Sequence, residues 1–218
     1  MTPKTLRQPT LRTLLWACSL KSVLFSFPDE QDKIVEKLRS GAVGVMPTDT
    51  LYGLVCCADQ QDSVARLYAL KKRDNKPGTI IASNIEQLTA LGLKARYLKP
   101  VQHYWPGAVS IVIPCFDLPY LHLGKGSVAV RVVADRTLQK VLLKTGALLT
   151  SSANQPGEQP AATIEAAREY FGDAVDFYAD GGDMGERHAS TVIRVVDDVV
   201  EVLRQGAVRI NEETGEIA

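Results

Sequence analysis

The stretch GAVGVMPTDTLYGLVCCADQQDSVARLYALKKRDNKPG, residues 41–78, decides how the chain reads. Its opening run, Ala42 to Met46, is short, apolar and shaped like a buried strand. Pro47 has no N–H to donate and ends the ladder there. The loop that follows, Thr48 to Gly53, carries the hydroxyls of Thr48, Thr50 and Tyr52 and the carboxylate of Asp49, too polar a set for a plain connection. From about Asp62, Val64, Leu67, Tyr68 and Leu70 recur on one face of a helix. That helix ends in Lys71-Lys72-Arg73-Asp74-Asn75-Lys76, with Pro77-Gly78 as its stop. A polar strand-end loop and a cationic corner thus share one βα unit. In open α/β sheets, such strand ends are where ligands bind. The combination points to an anionic ligand held by Lys and Arg, with hydroxyls orienting a smaller polar group.

Outward from this unit, strands and helices alternate. A helix is expected from Pro28 to Arg39, stopped by Gly41. Thr79–Ala82 reads as a buried strand, and Ser83 with Glu86 as a capping box opening a helix. A helix is expected over Ala95–Trp105, then a turn at Trp105-Pro106-Gly107 and a strand over Val109–Ile113. Residues Asp117 to Gly126 read as a loop, and Val128–Val133 as a strand. Asp135 caps a helix running to Lys144, and Ala147–Leu149 is a buried strand that ends in Thr150-Ser151-Ser152-Ala153-Asn154. Beyond it come a helix over Thr163–Phe171, a strand over Val175–Tyr178, and a hairpin of Val192–Val196 with Val199–Leu203 turned at Asp197-Asp198. The expected fold class is therefore α/β: one domain with a twisted mixed sheet, flanking helices and an antiparallel portion near the C-terminus.

The first 28 residues carry Lys4, Arg7, Arg12 and Lys21 and no acid before Asp29. Residues 1–27 are set apart as an N-terminal extension ahead of a domain over residues 28–218. A transit peptide or an early start codon are the alternatives, because Ser19 and Lys21 interrupt the apolar core a secretory signal needs. No run of about 18 apolar residues occurs, so no membrane partner is expected.

With 218 residues, 45% hydrophobic and 23% charged, the composition is that of an ordinary globular domain. The formal net charge of zero gives no global signal for nucleic acid. Cys18, Cys56, Cys57 and Cys115 have no zinc-ligand spacing and fit a reducing, cytoplasmic compartment. His103, His122 and His188 stand far apart, and no metal site built from protein ligands is expected.

The residues that remain for chemistry are hydroxyls, amides, Lys and Arg. No G-x-S-x-G elbow and no Walker A loop is present. Such an inventory suits positioning and charge neutralisation at phosphorus. Lys71 and Arg73 can converge on a phosphate, although a solvated helix end complementing the macrodipole reads the same way. Thr150 to Asn154 offers side chains and N–H groups at a strand end, and equally a helix cap or turn. Arg131 lies among valines, where an unpaired guanidinium is too costly, so it meets a carboxylate of the protein or of a ligand. Ser190-Thr191 opens a strand after a glycine-rich loop.

The string PTDTLYGL, the K-K-R that follows it, Trp105-Pro106-Gly107, Val128-Ala129-Val130-Arg131, Thr150 to Asn154, Ser190-Thr191-Val192 and Leu203-Arg204-Gln205-Gly206 occur in one order. That ordered set resembles the YrdC-like family of threonylcarbamoyl-AMP synthases, in its short, single-domain form, over about residues 28–210. The resemblance implies a large concave ligand-binding surface and a synthase that joins L-threonine, bicarbonate and ATP, with Mg²⁺ accompanying ATP. The products are threonylcarbamoyl-AMP and pyrophosphate, and a threonylcarbamoyl transferase machinery would use the former to make the t6A modification of tRNA. It further implies that Lys71, Arg73, Ser152 and Asn154 surround the phosphates, with Asn75, Ser127 and Arg204 near the nucleotide. Thr48, Arg131, Thr150 and Ser190 would form the threonine pocket. The chain departs from the pattern at Asp74 and Ala108, where proline is usual. Two other readings stand beside the synthase: a non-catalytic module of this fold binding tRNA or double-stranded RNA, and a carbamoyl-adenylate enzyme with another acceptor.

Overall fold

Period-two strands and amphipathic helices assemble into one ten-stranded mixed sheet, seen in a computed structural model that describes residues 22–72, 76–197 and 199–218. The strands are β1 (Val23–Ser26), β2 (Gly44–Pro47), β3 (Tyr52–Cys57), β4 (Thr79–Ala82), β5 (Val109–Pro114), β6 (Ser127–Val132), β7 (Leu148–Ser152), β8 (Phe177–Asp180), β9 (Thr191–Val196) and β10 (Val199–Arg204). Their order across the sheet is β1-β8-β2-β3-β7-β4-β6-β5-β9-β10. β2 and β3 form an antiparallel hairpin around the Thr48–Leu51 turn, so the polar loop of the sequence is a hairpin tip.

Two helices cover one sheet face. In α1 (Gln31–Arg39), Ile34, Val35 and Leu38 are buried, with Asp32 in the first turn and Lys37 and Arg39 in the last, as the macrodipole favours. In α6 (Arg136–Thr145), Asp135 accepts the Leu138 N–H at 2.7 Å as an N-cap, and Leu138, Val141 and Leu142 face inward. Burying each such aliphatic side chain contributes about 1.5–3 kcal/mol. Between them in sequence lie α2 (Gln61–Leu70), α3 (Ile85–Ala90), α4 (Ala95–Leu98) and α5 (Pro119–His122), and α7 (Ile164–Phe171) follows β7. α2 and α7 bury their apolar residues in the cluster on the opposite face. Cys56 and Cys57 show the alternation plainly, since each joins a different face's cluster.

Several expectations change. The sheet begins at Val23, not at residue 28: β1 pairs in parallel with β8, and Phe25 is buried with its ring centroid 6.1 Å from that of Phe177. The boundary was misplaced because four residues of strand carry too little pattern to separate from a leader. The remainder of that leader, Leu14 to Cys18 included, lies outside the described residues. The cap of α3 is Asn84, which accepts the Gln87 N–H at 2.9 Å, one residue later than Ser83. Pro100 limits α4 to one turn, continued by a 3₁₀ segment over Lys99–Tyr104. Residues 117–126, expected as a loop, contain α5, and the strand expected over Val175–Tyr178 is shifted to Phe177–Asp180. Asp198 of the final turn lies outside the described residues.

Candidate functional site

Register places polar residues together on the sheet face that α1 and α6 cover only in part. Val55, Cys57, Leu148 and Ile81 pack there with the two helices. Because side chains on one face recur every second residue, Gly53, Thr150, Ser152, Thr79, Arg131 and Ala129 continue the same face. The pairs Gly53↔Ser152, Thr79↔Thr150, Thr79↔Ala129, Val112↔Ala129 and Val112↔Arg194 make these residues lateral neighbours across five strand junctions. Gly53 is required by its neighbour: a Cβ there would lie 2.4 Å from Thr150 Oγ1.

A cavity of about 810 Å³ opens over this surface, within the roughly 300–1,000 Å³ typical of small-ligand sites. Thr48, Ser127, Arg131, Thr150, Ser152, Ser190 and Arg204, all singled out in the sequence, line it. Its charged lining is Lys76, Lys125, Arg131, Arg194 and Arg204, and among the described residues no carboxylate lines it. Anions are the ligands such a wall favours.

Arg131 is 3% exposed and pairs with Asp49, itself 7% exposed, at the tip of the β2–β3 hairpin. Its Nε donates to Asp49 Oδ2 at 3.1 Å, its Nη2 to Oδ1 at 2.7 Å, and its Nη1 to Ser110 Oγ at 2.9 Å. These bonds leave one N–H on each terminal nitrogen of the guanidinium. Of the two partners open to Arg131 from sequence, the protein's own carboxylate is in place, and two N–H donors remain. Ser110 Oγ donates to Ser190 Oγ at 2.9 Å. Arg204 donates from Nε and Nη2 to Ser190 O at 3.1 and 2.7 Å, and has no carboxylate partner among the described residues. Burial first, and the Arg131 charge second, hold its pKa below the usual arginine value.

The hairpin tip is set by Thr48, whose hydroxyl donates to Leu51 O at 2.7 Å and accepts the N–H groups of Thr50 and Leu51, each at 3.2 Å. The hydroxyl therefore serves the turn. Tyr52, buried on the opposite face, donates to Gly182 O at 2.8 Å and accepts from Gly181 N at 2.9 Å, tying the glycine-rich loop to β3. Burial pushes its phenol up to about 12.

Lys71 and Asn154 lie apart from the cavity wall that Ser152 joins. Lys71 is 2% exposed and does not line the cavity. Its ammonium donates to Ser152 O at 2.8 Å, to Asn154 Oδ1 at 2.9 Å, and to Asn154 O. A buried ammonium needs acceptors, and the end of β7 supplies them. Asn154, half-buried, accepts from Ser152 Oγ at 2.7 Å and donates to Glu158 O at 2.6 Å. In this conformation both fix the β7 end behind Ser152. Arg73 and Asn75 lie outside the described residues.

Sequence reading missed Ser110, Lys125 and Arg194. The signal for Ser110 was present, a lone hydroxyl inside the apolar strand Val109–Ile113, whereas Lys125 and Arg194 look like any surface cation.

Residues 36–206 match the family model of Sua5, YciO and YrdC proteins, described as "Telomere recombination". A threonylcarbamoyl-AMP synthase of Coxiella burnetii is 37% identical over 167 residues, 73% of this chain and 89% of that protein. One of Pseudomonas paraeruginosa is 36% identical over 162 residues, 72% of this chain and 87% of that one. The P. abyssi Sua5 structure complexed with L-threonine superposes with a TM-score of 0.74 at 26% identity, over 86% of this chain and 58% of that chain. E. coli YciO shares the fold, with a TM-score of 0.69 at 22% identity over 85% of this chain and 94% of that chain. The chain thus spans about three-fifths of the length of that Sua5 but most of the length of the two synthases and of YciO. On a match that covers most of its length, with relatives above one-third identity, the chain belongs to the Sua5/YciO/YrdC family.

Proposed function

We propose that this protein is a nucleotidyltransferase that forms threonylcarbamoyl-AMP and pyrophosphate from L-threonine, bicarbonate and ATP. The observation that carries the reading is the cavity wall, where the buried, ion-paired Arg131 and a second arginine with no carboxylate partner among the described residues face one concave space. Relatives named for this synthesis, and a Sua5 structure complexed with L-threonine, support it.

In this reading the open N–H pair of Arg131 takes the threonine carboxylate, with Thr48 and Thr150 beside it. The threonine amine attacks the carbon of bicarbonate, forming an N–C bond with loss of water to give a carbamate. A carbamate oxygen then bonds to the α-phosphorus as the bond to the β-phosphate oxygen breaks and pyrophosphate leaves. Arg204, Ser127 and Ser152, with Lys125 and Lys76, would offset charge along the phosphates, while Lys71 and Asn154 keep the β7 end in place. Arg73 and Asn75 remain assigned to the nucleotide. Mg²⁺ would enter with ATP as part of the substrate and would offset phosphate charge there. The product would feed a threonylcarbamoyl transferase step in tRNA t6A modification. The free thiols of Cys56, Cys57 and Cys115 suit a cytoplasmic setting, and among the described residues no helix is long and apolar enough to cross a membrane.

The test is pyrophosphate release from the purified full chain. It should require threonine, bicarbonate and ATP together. RNA binding without such release would instead favour the non-catalytic module, and release with another amino acid would reassign the acceptor.

A further inference from the structure

The hydrogen bonds from the two arginines converge on Ser190 Oγ. Arginine cannot accept, so Ser110 Oγ accepts from Arg131 Nη1 at 2.9 Å and passes its own proton to Ser190 Oγ at 2.9 Å. Arg204 Nη2 approaches the same Ser190 oxygen at 3.3 Å. Ser190 Oγ is thereby an acceptor twice over, and its own proton has no acceptor among the described residues. Ser190 lines the cavity, and Ser110 behind it is wholly buried. Donors arranged in series polarise one another, and more so in a buried setting.

We infer that Ser110 is a positioning residue that turns the Ser190 hydroxyl outward, as a hydrogen-bond donor to the carbamate oxygen of the bound intermediate. The inference rests on the proposed synthesis. There the carbamate joins the amino acid to the α-phosphorus, so it must lie between the carboxylate subsite at Arg131 and the phosphate subsite at Arg204. Ser190 bridges those two side chains through Ser110 on one side and directly on the other. A donor there favours the anionic carbamate over its return to amine and bicarbonate. Ser110 is thus assigned to retaining the bicarbonate-derived carbon, while Arg131 keeps its two bonds to Asp49 when Ser110 is altered.

The experiment is steady-state pyrophosphate release by the full chain, varying bicarbonate, threonine and ATP separately, with thermal unfolding alongside. Ser110→Ala should raise KM for bicarbonate about 10- to 100-fold, the effect of losing one hydrogen bond to a charged group. The KM values for threonine and ATP should stay within about twofold. Ser110→Thr, which restores the hydroxyl, should recover most of the loss. Ser190→Ala should raise KM for bicarbonate similarly, and the double variant should lose little more, since both act through one proton. Ser190→Ala keeps the inference testable if Ser110→Ala does not fold. An active wild type whose variants leave KM for bicarbonate unchanged, or raise all three KM values alike, overturns this assignment and spares the synthase reading. A wild type that releases no pyrophosphate in the presence of all three substrates overturns both.

Discussion

Asp49 and Arg131, 82 residues apart, meet in a two-bond ion pair of 2.7 and 3.1 Å that joins the β2–β3 hairpin tip to the C-terminal end of β6. Both are nearly buried, so either charge is poorly solvated if the other is removed. Asp49→Asn should lower the unfolding free energy by about 3–5 kcal/mol, the usual cost of breaking a buried pair from one side. Urea titration measures it, and Asp49→Asn combined with Arg131→Met should recover part of the loss. A single variant as stable as wild type would show the pair to be dispensable.

Arg204 is expected to act on the nucleotide alone. Among the described residues its guanidinium hydrogen-bonds only to Ser190, and it lines the cavity. Removing a charge-assisted contact costs about 1.5–3 kcal/mol, so Arg204→Gln should raise KM for ATP tenfold or more. Because Arg131 keeps Asp49, KM for threonine should change little. Calorimetric titration of each ligand separately provides the check, and equal losses for both would remove the nucleotide assignment.

Lys71 and Lys72 should behave as opposites. Lys71→Met would leave Ser152 O, Asn154 O and Asn154 Oδ1 short of a donor, at about 1–3 kcal/mol or more. Lys72 is exposed, and Lys72→Met should stay within about 0.5 kcal/mol. Amide exchange over residues 152–158 should quicken only in Lys71→Met. Equal stability in the two variants would show that Lys71 does not brace the β7 end.

Tyr52 links stability to alkaline pH. Burial raises its phenol from 10.0 to about 12. Between those values the unfolded chain releases a proton that the folded chain retains, so its contribution is intact below pH 10 and is lost as pH rises towards 12. Tyr52→Phe should make that decline shallower by up to about 1.4 kcal/mol per pH unit. It should also destabilise at neutral pH, because Gly181 N and Gly182 O lose their partner. Denaturant titrations across this range would reveal an unchanged slope if the phenol were not protected.

Local order was legible in the chain because its causes lie within a few residues. Asp135 caps α6 through an N–H three positions on, and the alternation at Cys56-Cys57 sends neighbours to opposite faces. The βα alternation, and the hydroxyls and arginines of the cavity wall, followed from the same short-range patterns and from an ordered set of motifs. Tertiary structure alone decided which of those groups meet. Strand register set Thr79 beside Thr150 and Ser110 behind Ser190, pairings between segments some 70–80 residues apart that no periodicity encodes. Burial then decided charge: Lys71 turned from the cavity to carbonyl oxygens, and Arg131 found Asp49, because an ionised group out of water takes the nearest oxygen acceptors the packed fold presents.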